Sequence, residues 1–262
     1  MARRRRVHIP NAFVHVSHRC NHGDFLFADP KVKLLFLTVL EAVATELGYE
    51  VVYFCVQDNH IHLILFTPPE IEGHTLSSFM HRLDSTFGHR LNAWKGWQGV
   101  TWQGRFRATG WFPQQRLWLL ELMLWYAATN TARRTVKAVP AAQWPWGALY
   151  WLLRNEVGPV STTLRRWLET IYRPRGCADP VAEFAALAAK TQRPDWEQRV
   201  LELERQGLPW LGTPEAVDSS TLRQDLDGLL DKLHSLNLRS WKQEVERYSM
   251  LMQPVLQPHL NR

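Results

Sequence analysis

Two histidines one residue apart, His60 and His62, lie inside the apolar run "NHIHLILF" at residues 59–66. The run predicts a β-strand, and side chains i and i+2 of a strand point to the same face. Both imidazoles should therefore lie side by side, close enough to hold one divalent cation. Two core or surface histidines that only form local hydrogen bonds would give the same spacing, so the pair alone does not decide between these interpretations.

A second group of polar side chains lies in "LWYAATNTARR" at residues 124–134. Tyr126 and Asn130 are four residues apart on a predicted helix and share a face, which Arg133 and Arg134 continue by one turn. A phenol, an amide oxygen and guanidinium groups would then line one edge of the helix. The simpler interpretation is a polar, solvated helix face.

The stretch "WKGWQGVTWQGRFRATGW" at residues 94–111 mixes tryptophans with cations. Aromatic rings that stack on bases and cations that follow the phosphates are typical of proteins that bind single-stranded nucleic acid. Taken singly, each tryptophan is more typical of core or loop packing, whereas Arg105 and Arg107 favour DNA contact. The tryptophans in question are Trp94, Trp97, Trp102 and Trp111.

Elements that could position these residues are readable from the hydrophobic pattern. The pattern predicts strands over 11–20, 49–57 and 59–66, helices over 28–50, 74–94 and 114–138, and short strand-like pieces within 95–112. Asp29 and Pro30 begin the first helix and Gly48 follows its last turn. The resulting order, β–α–β–β–α–β–α, predicts an α+β fold with a mostly antiparallel sheet and packed helices.

The residue composition and the hydrophobic pattern change near residue 158. Two amphipathic segments rich in Leu, Glu and Arg follow, at 179–207 and 220–252. We therefore expect two parts, a catalytic domain over 1–158 and a helical C-terminal region of unknown role over 159–262.

Positive charge is concentrated in the first part. Residues 1–150 hold 16 Lys and Arg against 10 Asp and Glu, and so carry all of the chain's formal net charge of +6. This distribution points to an anionic partner. The arginine run at 3–6 is either a solvated tail or a phosphate contact. The three scattered cysteines and the absence of a signal or membrane-spanning segment lead us to expect a cytoplasmic, nucleoid-associated protein with no membrane partner.

Four ordered motifs make the first part similar to a known family. They are "NHIHLIL" with its histidine pair, "WQGRF" at 102–106, "YAATNTAR" at 126–133 and "WPWGALY" at 144–150. Together with the opening segment 1–27, their order and spacing resemble those of the REP-associated tyrosine transposases, a single-tyrosine group of the HUH endonucleases. The resemblance covers roughly residues 1–151.

The resemblance implies a role for each matched residue. His60, His62 and Asn130 would hold a divalent metal, Mg²⁺ or Mn²⁺, Tyr126 would be the nucleophile that forms a 5′-phosphotyrosine, and Arg133 would assist it. The substrate would be single-stranded or hairpin DNA, which the enzyme cuts and rejoins, while a monomer and a homodimer both remain open. The expected DNA-binding residues are Arg19, Asn21, Trp102, Gln103, Arg105, Arg107 and Arg134. His18 would flank the site, whereas His15, Arg82 and His89 are more typical of structural or solvated residues.

Two departures from the family pattern keep an alternative open. After the tyrosine the helix reads Asn-Thr-Ala-Arg-Arg-Thr where the family usually has Asn-Pro-Val-Arg-Ala-Gly, and Asp58 replaces the usual proline before the histidine motif. The alternative is a domesticated, non-catalytic nucleic-acid-binding protein on the same fold.

Overall fold

A single sheet with helices packed against it forms the described part of the protein, and the α+β prediction is confirmed. The computed structural model describes residues 10–21, 25–68, 75–111, 117–134, 138–206 and 210–211. The strands are β1 (Phe13–Arg19), β2 (Glu50–Val56), β3 (His60–Phe66), β4 (Arg107–Trp111) and the two-residue β5 (Trp210–Leu211). Their order is β2-β3-β1-β4-β5, with the first four antiparallel and β5 parallel to β4.

Helices occupy most of the remaining described chain. They are α1 (Pro30–Glu46), α2 (Leu76–Lys95), α3 (Leu117–Arg134), α4 (Ala148–Arg154), α5 (Leu164–Tyr172), α6 (Pro180–Ala189) and α7 (Pro194–Gln206). The predicted start of α1 is confirmed, because the Asp29 side chain accepts a hydrogen bond from the Lys31 amide and Pro30 is the first helical residue. Gly48 has a φ of +68°, the left-handed conformation that ends a helix without a Cβ clash.

Helices cover both faces of the sheet. On β1, His15 and His18 are three residues apart and so point to opposite faces. His15 meets the ring of Tyr126 in α3, whereas His18 contacts Asp84 in α2, which packs against α1. The face that carries His15 is therefore the one on which α3 lies.

An aromatic cluster fills the other side of the sheet. Phe27, Phe36, Phe87 and Trp102 meet with ring centroids 5.4–6.0 Å apart, and all four side chains are buried. This cluster joins four parts of the chain, namely the segment before α1, α1 itself, α2 and the segment before β4. It thereby holds the chain at Trp102 against the end of β1.

Helices α5, α6 and α7 pack on the same hydrophobic core as the sheet. The Thr163 amide donates to the Val51 carbonyl at 3.0 Å, and Trp167 packs on Phe13 and Phe66 with centroids 4.6 and 5.2 Å apart. Helices α6 and α7 confirm the helical character predicted for 179–207, whereas the segment 220–252 lies outside the described residues. Helix α5 lies within the C-terminal region that was expected to be helical, whereas the short helix α4 was not predicted.

Among the described residues, no helix is long and apolar enough to cross a membrane.

Candidate active site

The register of the sheet assembles a row of polar side chains on one face. Ser17 of β1 lies opposite His62 of β3 and Arg107 of β4, and Arg19 lies opposite His60. Residues directly opposite in an antiparallel pair point to the same face. The predicted pairing of the two histidines on one face is thus realised next to two arginines.

This row lines a cleft of about 410 Å³, which we call the histidine cleft. It contains eight of the residues predicted for the site and two others. Its lining consists of Ser17, His18, Arg19, His60, His62, Gln103, Arg105, Arg107, Tyr126 and Asn130. Of the other predicted residues, Asn21 and Trp102 do not line the cleft, and the side chains of Arg133 and Arg134 lie outside the described residues.

Helix α3 brings Tyr126 and Asn130 to the histidines. The Tyr126 ring stands edge-on to His62 and His15, with centroids 5.7 and 6.0 Å apart. Only 4% of Tyr126 is exposed, although it lines the cleft. In the part of the chain that the structure describes, the histidine cleft is thus the route by which a substrate could reach this phenol.

A chain of hydrogen bonds runs behind the cleft. The Gln57 amide donates from Nε2 to Asn130 Oδ1 at 2.7 Å, and Asn130 Nδ2 lies 3.0 Å from His62 Nε2. Because an amide nitrogen can only donate, His62 Nε2 must accept and the ring proton must be on Nδ1. His62 Nδ1 then donates to His15 Nε2, 3.0 Å away.

His15 is suited to be the last acceptor in this series of hydrogen bonds. Complete burial lowers the pKa of its imidazole to about 4, so the ring is neutral at physiological pH. A neutral ring has one nitrogen lone pair to offer the His62 proton. His15, expected to be structural, thus sets the tautomer of His62.

His60 is held in a similar way by its neighbour. Its Nδ1 lies 2.7 Å from Asn59 Oδ1, an acceptor, so a neutral ring would carry its proton on Nδ1 and its lone pair on Nε2. Both histidines therefore have the tautomer in which Nε2 can bind a metal while the other ring nitrogen is hydrogen-bonded.

The donor set fits a divalent cation with Asn130 as the third ligand. No group of three His, Cys, Asp or Glu side chains suited to a metal occurs in the described part of the chain. Two imidazoles and one amide oxygen would leave coordination positions for water and phosphate oxygens. As it stands, Asn130 turns its nitrogen to His62, so ligation requires the amide to reverse.

A comparison with known families bears on the sheet that carries this cleft. Residues 9–111 match the family model described as Transposase IS200 like. This segment is therefore similar to the IS200-like transposases. It holds His60, His62, Gln103, Arg105 and Arg107, while α3 with Tyr126 and Asn130 follows it. The predicted resemblance to the single-tyrosine transposases is confirmed.

Solved structures of transposases resemble the chain at low identity. One is a REP-associated tyrosine transposase bound to a REP hairpin, with 16% identity, a TM-score of 0.47 and coverage of 62% of this chain and 92% of that one. A second, assigned to a transposase of Deinococcus radiodurans, has 19% identity, a TM-score of 0.33 and coverage of 41% and 84%. No curated protein matches the sequence.

Within residues 9–111, an ion pair between a buried lysine and a part-exposed aspartate fixes the turn before the histidine motif. Lys33 of α1 contacts Asp58 at 2.6 Å, donates to the Phe27 carbonyl and lies 5.3 Å from the Trp144 ring centroid. Burial lowers the pKa of the Lys33 ammonium, and the Asp58 carboxylate opposes that shift. Asp58 replaces the proline that is usual in the family. It thus holds the turn through its ion pair with Lys33, whereas a proline would hold it through its rigid ring.

The loop before β4 forms the opposite wall of the cleft. The Gln103 amide donates to the Arg19 carbonyl at 2.9 Å, and the Asn21 amide donates to the Thr101 carbonyl at 3.0 Å. These bonds tie the loop to the end of β1 and place Gln103 and Arg105, both exposed, at the cleft. Asn21 therefore supports the loop from outside the cleft.

Tryptophans of this loop have two distinct placements. Trp102 is 9% exposed, stacks on His18 with centroids 4.5 Å apart and belongs to the aromatic core, and Trp111 is fully buried. Trp97 is 52% exposed, and the Lys95 ammonium lies 6.0 Å from its ring centroid. The structure thus removes Trp102 from the residues that could stack on a base and leaves Trp97.

Three residues near the site were not foreseen as functional. Ser17 and His15 alternate with Arg19 along β1, and this period-2 pattern could have placed them on the site face. Gln57 gave no such signal, because its role depends on a contact with Asn130, 73 positions further along the chain.

Proposed function

We propose that this protein is a metal-dependent DNA transesterase that cuts and rejoins single-stranded or hairpin DNA through a 5′-phosphotyrosine. One observation carries the proposal. The Tyr126 ring lies 5.7 Å from the His62 ring in a cleft that also holds Asn130, His60 and exposed arginines. A nucleophile, a ligand set and a phosphate-binding rim thus meet in one place within a chain whose sheet is that of the IS200-like transposases.

His60, His62 and Asn130 would hold Mg²⁺ or Mn²⁺. When bound, the cation supplies positive charge that offsets the charge of the scissile phosphate and of the leaving oxygen. The hydrogen bonds that both histidines make through Nδ1 support this assignment, since Nε2 is then the ring nitrogen that could bind an ion.

Tyr126 would attack the phosphorus from the floor of the cleft. A bond forms between its phenolic oxygen and phosphorus, the bond from phosphorus to the 3′ oxygen breaks, and the phenolic proton is lost as the 3′ oxygen gains one. The phenol needs proximity and nearby positive charge, because the unperturbed pKa of tyrosine is about 10. Arg133, one turn beyond Asn130, would provide part of that charge.

Rejoining would use the same centre. The phosphotyrosine retains the phosphodiester bond energy, so a second 3′-OH can attack it and release Tyr126 without ATP. One tyrosine and one cation therefore suffice for both cutting and strand transfer.

The rim of the cleft would bind the DNA strand. Arg19, Arg105 and Arg107 are exposed around the histidines, and Gln103 adds a side-chain amide. Cations that follow the phosphates with an aromatic ring nearby suit unpaired DNA. The exposed Trp97 is the ring that we assign to base stacking.

Tyr126→Phe is the decisive test. The change removes one oxygen, so the fold, Mn²⁺ binding and DNA affinity should remain, whereas nicking of hairpin DNA and the covalent protein–DNA adduct should both be lost. The adduct is detected on a denaturing gel after incubation with Mn²⁺, and mass spectrometry locates the linked residue.

Tyr150→Phe is the matched control, since Tyr150 is also buried but does not line the cleft. It should cut and form the adduct at the wild-type rate. An adduct on another tyrosine, or continued nicking by Tyr126→Phe, contradicts the assignment. DNA binding by the wild type without nicking under either metal would favour the non-catalytic alternative.

A further inference from the structure

Gln57 is a buried side chain that the proposed reaction does not use. It lies in the turn between β2 and β3, is 2% exposed, and donates from Nε2 to Asn130 Oδ1 at 2.7 Å. Its backbone amide donates to the His60 carbonyl at 2.9 Å, so the turn that carries the histidine motif also fixes Gln57. A buried amide that lost this partner would be left without solvent to replace it.

The contact determines which end of Asn130 faces the histidines. A side-chain amide has an acceptor oxygen at one end and a donor nitrogen at the other. Because Gln57 donates to Oδ1, Asn130 turns Nδ2 to His62 Nε2, 3.0 Å away. A donor thus occupies the lone pair that would bind a cation.

Cation binding would require the opposite orientation of the Asn130 amide. A carboxamide binds a metal through its oxygen, so Asn130 must turn Oδ1 towards the ion and Nδ2 towards Gln57. Asn130 and Gln57 are 1% and 2% exposed, which leaves no solvent to accept the freed N–H. Gln57 can accept it only by turning its own Oε1 to Asn130.

We propose that Gln57 is a positioning residue for the third metal ligand: its amide and that of Asn130 reverse together, from the hydrogen-bonded arrangement to one that presents the Asn130 oxygen to a divalent cation. This rests on the proposed function, in which Asn130 is a ligand. The reversal would keep one hydrogen bond between the two amides, and it fits the same space because the oxygen and nitrogen ends of an amide have nearly the same shape. Without the Gln57 amide, Asn130 would have a buried N–H unpaired whenever it bound the ion.

The test is a double-mutant cycle on the full chain, with Mn²⁺ as the probe. Mn²⁺ affinity is measured by calorimetry and by electron paramagnetic resonance for the wild type, Gln57→Met, Asn130→Ala and the double variant. Gln57→Met should weaken binding by about tenfold, the low end for residues that orient a metal ligand. The double variant should bind no more weakly than Asn130→Ala alone, because Gln57 acts only through Asn130.

A second variant separates orientation from a loss of packing. The carboxylate introduced by Gln57→Glu can only accept, so it holds Asn130 with its oxygen towards the ion. Gln57→Glu should therefore bind Mn²⁺ at least as tightly as the wild type, whereas Gln198→Glu, an equal charge change on the exposed face of α7, should leave the affinity unchanged. Circular dichroism checks that each variant is folded.

The outcomes separate this inference from the function on which it rests. Mn²⁺ binding by the wild type that is lost in His60→Ala, His62→Ala but unchanged in Gln57→Met would overturn the role of Gln57 alone. Additive losses in the cycle, or a Gln57→Glu variant as weak as Gln57→Met, would do the same. No specific Mn²⁺ binding by the wild type, or binding that survives the loss of both histidines, would overturn the metal site and this inference together.

Discussion

His60 and His62 have the same tautomer for different reasons. His60 is set by its sequence neighbour Asn59, a contact that the local chain guarantees. His62 is set by His15 and Asn130, which come from another strand and from a helix. The orientation of the histidine pair therefore depends at His60 on the turn and at His62 on the packing of β1 and α3.

The tryptophans of the loop before β4 should separate stability from DNA binding. Trp102→Ala removes a buried ring from the aromatic core and should lower the free energy of unfolding by about 3–5 kcal/mol. Trp97→Ala removes an exposed ring and should leave that energy within about 0.5 kcal/mol. If a base stacks on Trp97, its loss should weaken single-stranded DNA binding by about 1–3 kcal/mol.

Urea denaturation and fluorescence anisotropy with a labelled oligonucleotide measure the two effects. Unchanged DNA affinity in Trp97→Ala would remove the last exposed tryptophan of this loop from the interface. A Trp102→Ala variant of wild-type stability would contradict its place in the core.

Arg105 and Arg107 should contribute to DNA affinity through phosphate contacts. For single strands, the slope of log affinity against log salt is about −0.7 per phosphate neutralised, so the double alanine variant should reduce that slope by about 1.4. The control is Arg165→Ala, Arg173→Ala, which removes equal charge from two exposed arginines outside the cleft. Equal slopes in the two double variants would place the phosphates elsewhere.

At the scale of elements, the turn between β2 and β3 links α1, α3 and the segment before α4 to the site. Gln57 contacts α3, Asp58 contacts α1, and Trp144, just before α4, donates to the Val56 carbonyl at 3.1 Å. A change in any of these three contacts should therefore alter the position of the histidine motif.

Lys33→Met should weaken this turn. Methionine keeps much of the aliphatic stem but removes the ammonium, which leaves the Phe27 carbonyl and the Asp58 carboxylate without their donor. Since Asp58 is part exposed and can be hydrated, we expect a loss of about 1–3 kcal/mol in the free energy of unfolding, together with slower nicking.

Lys31→Met, on the exposed face of the same helix, is the control and should change that energy by no more than about 0.5 kcal/mol. Urea denaturation provides the measurement. Equal stabilities of the two variants would show that the ion pair does not hold the turn.

At the scale of the whole molecule, the ten residues that line the histidine cleft all come from one chain. Tyr126 and both histidines belong to the same protomer and border one cleft, so Tyr126 should act on a phosphate held by its own chain. Mixing Tyr126→Phe with His60→Ala, His62→Ala should therefore restore no nicking.

The mixture is assayed on hairpin DNA over a range of protein concentrations, with each variant alone as the baseline. Recovery of cleavage in the mixture would show that one chain supplies the tyrosine and another the metal ligands. A wild-type sample at equal concentration confirms that the substrate is cleavable.

The sequence by itself determined the main elements around the site and the resemblance to the transposases. Asp29, Pro30 and Gly48 mark the ends of α1, and the alternation in "NHIHLILF" places His60 and His62 on one face, because caps and strand periodicity depend only on near neighbours. The ordered motifs were likewise enough to identify the transposase resemblance.

Only the tertiary structure decided which residues share the cleft. Asn130 and His62 are 68 positions apart, and their 3.0 Å contact depends on how α3 packs across the sheet. The same holds for Gln57 and for the burial of Trp102 beside the exposure of Trp97. A one-dimensional pattern shows what each residue could bind, but burial and long-range packing select the partner it meets.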